Sequence, residues 1–304
     1  MVSPLPPNQG SLPLAPRQRA EVGSILLDLT KLTTDIAEEC SKTKPRRGSV
    51  GDQLASQARP KWAWSAPNAL ENVQDDSLMS LVSAMDHAAA LAAALRSSQN
   101  ISFAIATLVR GCLEALSRPR YFLTGADANE MCWRHAVTTI RDLDALPQDG
   151  VLHFTHTVPQ TVAERREHIL DEATRARPGI SPVKKIHSYS ALVKQLVTAA
   201  GPYDGAAFYT HLSGIAHAEP FHLQNFMLKP DDFDPSVERW SYRIAVPRDR
   251  AMNYLITICR TTVLVVEDVL KYWGATSAQQ DRWAAGKARI ERRINAFFVN
   301  PRTV

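Results

Sequence analysis

Tyr209, Ser213 and His217 recur every four residues and bring a phenol, a hydroxyl and an imidazole into one short segment. Because an α-helix turns once in about 3.6 residues, this spacing places all three side chains on one helix face. Such groups can hold a phosphate or move a proton. An apolar stripe of the same period lies beside them, formed by Phe208, Leu212 and Ile215. The segment therefore predicts a polar row at the edge of a helical core, which is a candidate pocket wall.

Arg110 and Glu114 form a second polar pair, four residues apart on an earlier predicted helix. This helix has apolar residues on both sides. If it is central, the two charges are buried and must pair; otherwise they form an exposed pair of small energetic effect. The arginine fork suits a phosphate or a nucleotide, with Glu114 holding the fork in place. The alternative is a structural network in which Glu114 accepts hydrogen bonds from Arg110 and Tyr209.

These motifs resemble the HEPN superfamily of prokaryotic helical domains. An Arg-x-x-x-Glu helix, a following helix with Arg134 and a Tyr-x-x-x-Ser-x-x-x-His helix carry the resemblance, which spans roughly residues 75–272. In nuclease members of the superfamily, an Arg is followed by a His across a gap of four to six residues, and the two act on the RNA backbone across a dimer interface. The resemblance thus implies a nucleotide or RNA ligand, a homodimer and a setting in defence or toxin-related RNA handling.

The resemblance also gives roles to individual residues. It implies a catalytic role for His217. It implies a ligand-binding role for five further residues, Arg110, Glu114, Arg134, Tyr209 and Ser213. The chain departs from the nuclease pattern, because the allowed gap before His217 reaches Thr210, His211 and Leu212, and none of them is Arg. His211 and His217 could supply two imidazoles for acid and base work, but six residues apart on a helix they point in different directions. The alternative function is a non-enzymatic helical interaction protein whose polar face is structural.

Familiar cofactor and nucleophile motifs are missing from the sequence. Neither G-x-G-x-x-G nor G-x-x-x-x-G-K-[ST] occurs, which argues against a conventional dinucleotide or ATP enzyme. No G-x-S-x-G occurs, so an α/β-hydrolase is not indicated. His211, His217 and His222 are spaced six and five residues apart, unlike the four-residue spacing of a helical zinc site. We therefore predict neither a cofactor nor a metal.

The composition indicates a cytoplasmic protein that folds without cross-links. The 304 residues are 45% hydrophobic, which is enough for a sizeable core. The four cysteines are widely separated, and buried reduced thiols are expected. No apolar signal core is visible at the N-terminus. The most apolar run, Tyr254 to Val266, is interrupted by Arg260 and is shorter than the roughly 20 residues that span a bilayer, so no membrane association is expected.

Basic residues cluster in two places on a chain whose net charge is +4. Arg289, Arg292 and Arg293 lie opposite the predicted buried stripe of the last helix, and Arg46 and Arg47 lie in a basic stretch. Such clusters can neutralise the phosphates of nucleic acid. The alternative is a solvated helix face.

Breaks in periodicity divide the chain into four parts. Residues 1–16 contain five prolines and are predicted to be a disordered tail, followed by an N-terminal helix over 17–40, a basic linker over 41–74 and a helical bundle domain over 75–304. The predicted fold class is mainly α, an antiparallel helical bundle with a short irregular or β-hairpin excursion between about 221 and 247, and residues 151–158 are predicted to be a strand or an extended connection. Helices of the bundle are predicted over residues 75–96, 98–116, 126–146, 161–176, 183–199, 248–273 and 277–298.

Overall fold

The fold is mainly α-helical, as the periodicities predict. The computed structural model describes residues 12–57, 69–97, 102–152, 159–185, 187–228 and 243–299. The helices in chain order are α1 (Pro16–Ser41), α2 (Val50–Gln57), α3 (Ala69–Arg96), α4 (Phe103–Leu123), α5 (Ala128–Asp144), α6 (Val162–Ala176), α7 (Tyr189–Ala200), α8 (Gly205–Ala216), α9 (Pro220–Leu223), α10 (Arg248–Trp273) and α11 (Ser277–Val299). Two short antiparallel pairs accompany them, β1 (Val151–Leu152) with β2 (Gln160–Thr161) and β3 (Met227–Leu228) with β4 (Arg243–Ile244).

Helix α4 lies at the centre of the bundle. It packs against α3, α10, α7 and α8, while α1 covers the other side of α3. The alanines of α3 let its neighbours approach closely, since Ala84, Ala88 and Ala92 are fully buried. By length and composition α3 could also cross a membrane, and 44% of its apolar window is buried inside the bundle. The central position of α4 explains why its sequence is apolar on two sides.

Two prolines were poor guides to helix ends. Pro119 predicts the end of a helix near Leu116, but α4 continues to Leu123. Phe122 beyond the proline is fully buried, and this burial outweighs the hydrogen bond that the proline removes. Pro182 predicts a helix over 183–199, but only a 3₁₀ turn follows it, and α7 begins at Tyr189. Ser188 starts α7 by accepting a hydrogen bond from the Ala191 amide at 3.2 Å.

The N-terminal helix belongs to the bundle. Val22, Ile25 and Leu29 of α1 are buried in the main core. Of the predicted tail, residues 1–11 lie outside the described residues, and the Leu14 amide donates to the Val246 carbonyl at 2.9 Å. The predicted linker contains α2 and the start of α3, where Leu70 is fully buried. Apolar residues such as Leu70 are too few in this stretch to show a helical period. They pack into the core although the stretch is basic overall.

The excursion before α10 contains the predicted hairpin, in which β3 pairs with β4. Residues 229–242 between these strands lie outside the described part of the chain, as do residues 153–158 of the predicted strand or connection after β1. In α11 the predicted stripe is buried at Trp283, Ile290 and Phe297. The opposite face is less cationic than its sequence indicates, because Arg293 donates to Glu21 at 2.9 Å and to Asp28 at 2.7 Å.

All four cysteines are free and buried, as expected. Burial raises the pKa of the thiols of Cys40, Cys132 and Cys259 to about 12. These thiols are therefore protonated near neutrality and are poor nucleophiles.

Candidate functional site

Arg110 and Glu114 are paired within the bundle on α4. Arg110 Nε donates to Glu114 Oε1 at 2.7 Å, and the two side chains are 24% and 23% exposed. Burial disfavours the arginine cation, but the hydrogen bond and the charge of Glu114 outweigh burial and raise the pKa of Arg110. The pair is therefore partly buried, which is intermediate between the buried pair and the exposed pair that the sequence leaves open. Glu114 holds the guanidinium of Arg110 in one orientation.

Tyr209 joins the pair from α8. Its hydroxyl donates to the same Oε1 atom of Glu114 at 2.7 Å, and Arg110 lies over its ring with 5.4 Å between the guanidinium carbon and the ring centroid. Tyr209 is only 7% exposed. Burial, followed by the hydrogen bond and charge of Glu114, raises the pKa of Tyr209 to about 12. The phenol is thus a fixed donor to Glu114.

His217 completes the cluster at the C-terminal end of α8, where it is the cap residue and is exposed. Its Nε2 atom lies 3.4 Å from Nη1 of Arg110. Because a guanidinium can only donate, a hydrogen bond between these two groups requires Nε2 to accept. The structure therefore brings an arginine and an imidazole side by side at the surface.

The two remaining predicted residues lie in different positions. Ser213 is half-buried on the Tyr209 face of α8, and its hydroxyl makes no hydrogen bond to any described residue. Arg134 is not brought to the cluster. It pairs with Glu130 at 3.0 Å and donates to the Tyr121 carbonyl at 2.7 Å. Tyr121 is eleven residues beyond Arg110, roughly 16 Å along the axis of α4 at about 1.5 Å per residue.

Local sequence explains how α8 is placed. The Asp204 carboxylate caps the helix by accepting from the Ala206 amide at 2.8 Å. Gly205 follows, where a Cβ would overlap the Lys194 carbonyl of α7, so the glycine allows close packing of the two helices. Gly214 has the same function toward α9, because a Cβ there would overlap the ring of His222. Gly214, next to Ser213, therefore lets the His222 ring pack directly against the backbone of α8.

Two polar contacts near this site were not predicted from the sequence. On another face of α8, His211 Nε2 lies 2.9 Å from the Tyr254 hydroxyl, and Arg250 of α10 donates to Asn225 at 2.9 Å. Farther along α4, a hydrogen-bond network joins α4, α5 and α7 through Arg118, Arg141, Asp142 and Tyr189. These contacts link distant segments, and no local spacing shows them.

Within the described residues, no group of three or more His, Cys, Asp or Glu side chains could hold a metal ion. Comparisons of this chain with protein-family models, with curated proteins and with solved structures gave no match.

Proposed function

We propose that the cluster of Arg110, Glu114, Tyr209 and His217 binds a phosphate group of a nucleotide or of RNA, in a protein of HEPN-like type. The observation that carries the proposal is the state of the arginine. Glu114 fixes the guanidinium from its Nε side, while about a quarter of the side chain stays exposed beside an exposed imidazole. A fixed, permanently charged fork suits phosphate oxygens.

Glu114 also determines the kind of recognition. Its carboxylate compensates the charge of Arg110, so net charge adds little attraction for an anion. Directed hydrogen bonds from the guanidinium then provide most of the recognition, and the hydroxyl of Ser213 adds a donor on the same face. Glu114 is therefore a positioning residue in this proposal, and Arg110 is the residue that touches the ligand.

RNA cleavage is a further step of the same proposal, with His217 as the residue that transfers a proton. Tyr209 is unsuited to this role, because its pKa is about 12 and its hydroxyl is donated to Glu114. General acid and base work needs two groups, and His211 lies on a different face of α8. The second group would come from another copy of the chain, in accord with the dimer that the HEPN resemblance implies.

One observation favours the alternative function of a non-enzymatic interaction protein. Glu114 already accepts from both Arg110 and Tyr209, so this network satisfies its own hydrogen bonds without a ligand. A network of this kind would serve simply to join α4 to α8.

The test is retention and cleavage of a mixed RNA pool by the purified protein at low and moderate salt. Arg110→Gln should weaken retention about tenfold or more, the equivalent of one charge-assisted hydrogen bond. Retention by the unaltered protein should also fall as salt rises. Arg134→Gln is the matched control, since Arg134 also pairs with a glutamate four residues away at similar exposure but lies outside the cluster.

Each outcome selects a function. Retention lost with Arg110→Gln and kept with Arg134→Gln supports phosphate binding. Retention unchanged in Arg110→Gln, with a lower melting temperature, supports the structural network and overturns the proposal. Cleavage that persists in His217→Ala removes His217 from the chemistry.

A further inference from the structure

A buried arginine lies at the start of α10. Arg250 is the third residue of this helix and is only 7% exposed. Its Nη2 donates to the neutral amide oxygen of Asn225 at 2.9 Å, and its Nε is buried without an acceptor. No carboxylate of the described residues forms an ion pair with it. A buried charge in this state is unfavourable unless a partner of opposite charge is bound.

The groups around Arg250 do not supply that partner. His211 and His222 lie in edge-to-face contact with 5.9 Å between ring centroids, and Arg250 and His222 are both close enough to disfavour a charge on His211. Burial, then Arg250 and His222, lowers the pKa of His211 to about 3, so this ring is neutral. The carboxylate of Glu219 contacts His222 at 3.5 Å and is mostly exposed.

The start of the helix carries positive potential, which the carboxylate of Asp249 in the same turn partly offsets. The first turn of a helix carries a partial positive charge from its unpaired amides, and a cation placed there is disfavoured. Arg250 is such a cation on a helix of 26 residues. The arginine, the helix end and two imidazoles thus converge with no negative group paired to the arginine within the described part of the chain.

We propose that Arg250, Asn225 and the imidazoles of His211 and His222 form a binding site for a small oxyanion of the phosphate class. The guanidinium fork, which Asn225 holds in place, and the helix end supply charge, and the imidazoles supply further donors. His222 is 17% exposed in its side chain and gives the site an edge at the surface.

This site is distinct from the Arg110 cluster and does not rest on the function proposed there. At about 100° per residue, His211 and His217 point about 120° apart around α8. Arg250 belongs to α10, whereas Arg110 belongs to α4. The two sites can therefore be emptied separately by substitution.

The test is the melting temperature of the full chain as inorganic phosphate replaces chloride at constant ionic strength. With phosphate at about ten times its dissociation constant, the melting temperature should rise by about 3 °C or more. The comparison is made in an Arg110→Gln background, which removes phosphate binding at the Arg110 cluster, and there Arg250→Met should abolish this rise. Because Arg250→Met removes a buried charge that no described carboxylate pairs with, it should also melt no lower than its parent protein in chloride. Arg134→Gln, which lies outside both sites, should keep the phosphate response.

Two further measurements keep the proposal open to refutation if Arg250→Met folds poorly. Arg250→Lys retains the charge but loses the fork, and it should weaken phosphate binding at least tenfold, as measured by broadening of the phosphate ³¹P resonance. His211→Phe should weaken it as well. An unaltered protein that shows neither stabilisation nor broadening, or an Arg250→Met variant that responds to phosphate normally, overturns the proposal.

Discussion

Glu114→Gln removes one charge from the contact between α4 and α8 while keeping the size of the side chain. Oε1 of Glu114 accepts two hydrogen bonds of 2.7 Å, from Arg110 Nε and from the Tyr209 hydroxyl. A hydrogen bond to a charged group contributes about 1.5–3 kcal/mol, roughly twice the value of a neutral one. Losing the charge from both bonds would cost about 1.5–3 kcal/mol if they were fully buried. Because about a quarter of each charged side chain is exposed, screening reduces the expected loss to about 1–2 kcal/mol.

The measurement is urea unfolding of Glu114→Gln beside a matched control. Glu38 pairs with Lys42 at 2.6 Å with the same four-residue spacing, but these side chains are 60% and 66% exposed. Glu38→Gln should therefore leave the free energy of unfolding nearly unchanged. Equal losses in the two variants, or no loss in Glu114→Gln, would refute the reasoning that partial burial strengthens this pair. A Glu114→Gln, Tyr209→Phe double-mutant cycle would isolate the phenol's share.

Three further predictions concern α8. The pKa of Tyr209 is raised from 10.0 to about 12, so its neutral form stabilises the fold below pH 10, and this contribution is lost as the pH rises from 10 to about 12. Urea titrations over this pH range should show that Tyr209→Phe loses less unfolding free energy than the unaltered protein, and an equal loss would contradict this. The pKa of His211 is lowered from 6.5 to about 3, so its neutral form stabilises the fold above pH 6.5, and this contribution is lost as the pH falls toward 3. In the same assay, His211→Phe should lose less unfolding free energy between pH 6.5 and 3 than the unaltered protein. An equal loss would exclude His211 as the source of the acid sensitivity. Gly214→Ala should destabilise the protein by about 1–3 kcal/mol because its Cβ would overlap the His222 ring, and most of this cost should vanish in a His222→Ala background unless the clash is not its cause.

Long periodic segments were predictable because their burial pattern is repeated many times. The predicted helix over 248–273 coincides with α10, and the apolar stripe of α11 is buried as expected. The polar row on α8 lies at the core edge, with Tyr209 buried and His217 exposed. Local chemistry also sufficed to propose the contact between Glu114 and Tyr209, since a buried carboxylate needs donors.

The rest depended on contacts between segments that are distant in sequence. Whether Pro119 ends a helix is decided by burial of the residues after it, and that burial belongs to the tertiary structure. Arg134 resembled a ligand residue only because its own partners, Glu130 and Tyr121, were not recognised. Arg250 and Asn225 come together from two elements, so their contact leaves no repeating pattern in the sequence.

The first and last helices of the described chain run antiparallel against each other. Arg282, near the start of α11, donates to Glu39 near the end of α1 at 2.6 Å. Arg293, farther along α11, pairs with Glu21 near the start of α1. The start of α1 and the end of α11 therefore lie at the same end of the bundle.

This arrangement makes the bundle suitable for circular permutation. The Arg248 amide donates to the Leu12 carbonyl at 3.1 Å, and the Arg248 guanidinium lies 5.5 Å from the centroid of the Phe297 ring, so one residue of α10 contacts both ends of the described chain. A flexible linker could join these ends, and new ends could be opened in the exposed turn at residues 145–149. Such a permutant should keep the same core, with α1 and α11 made consecutive in the chain.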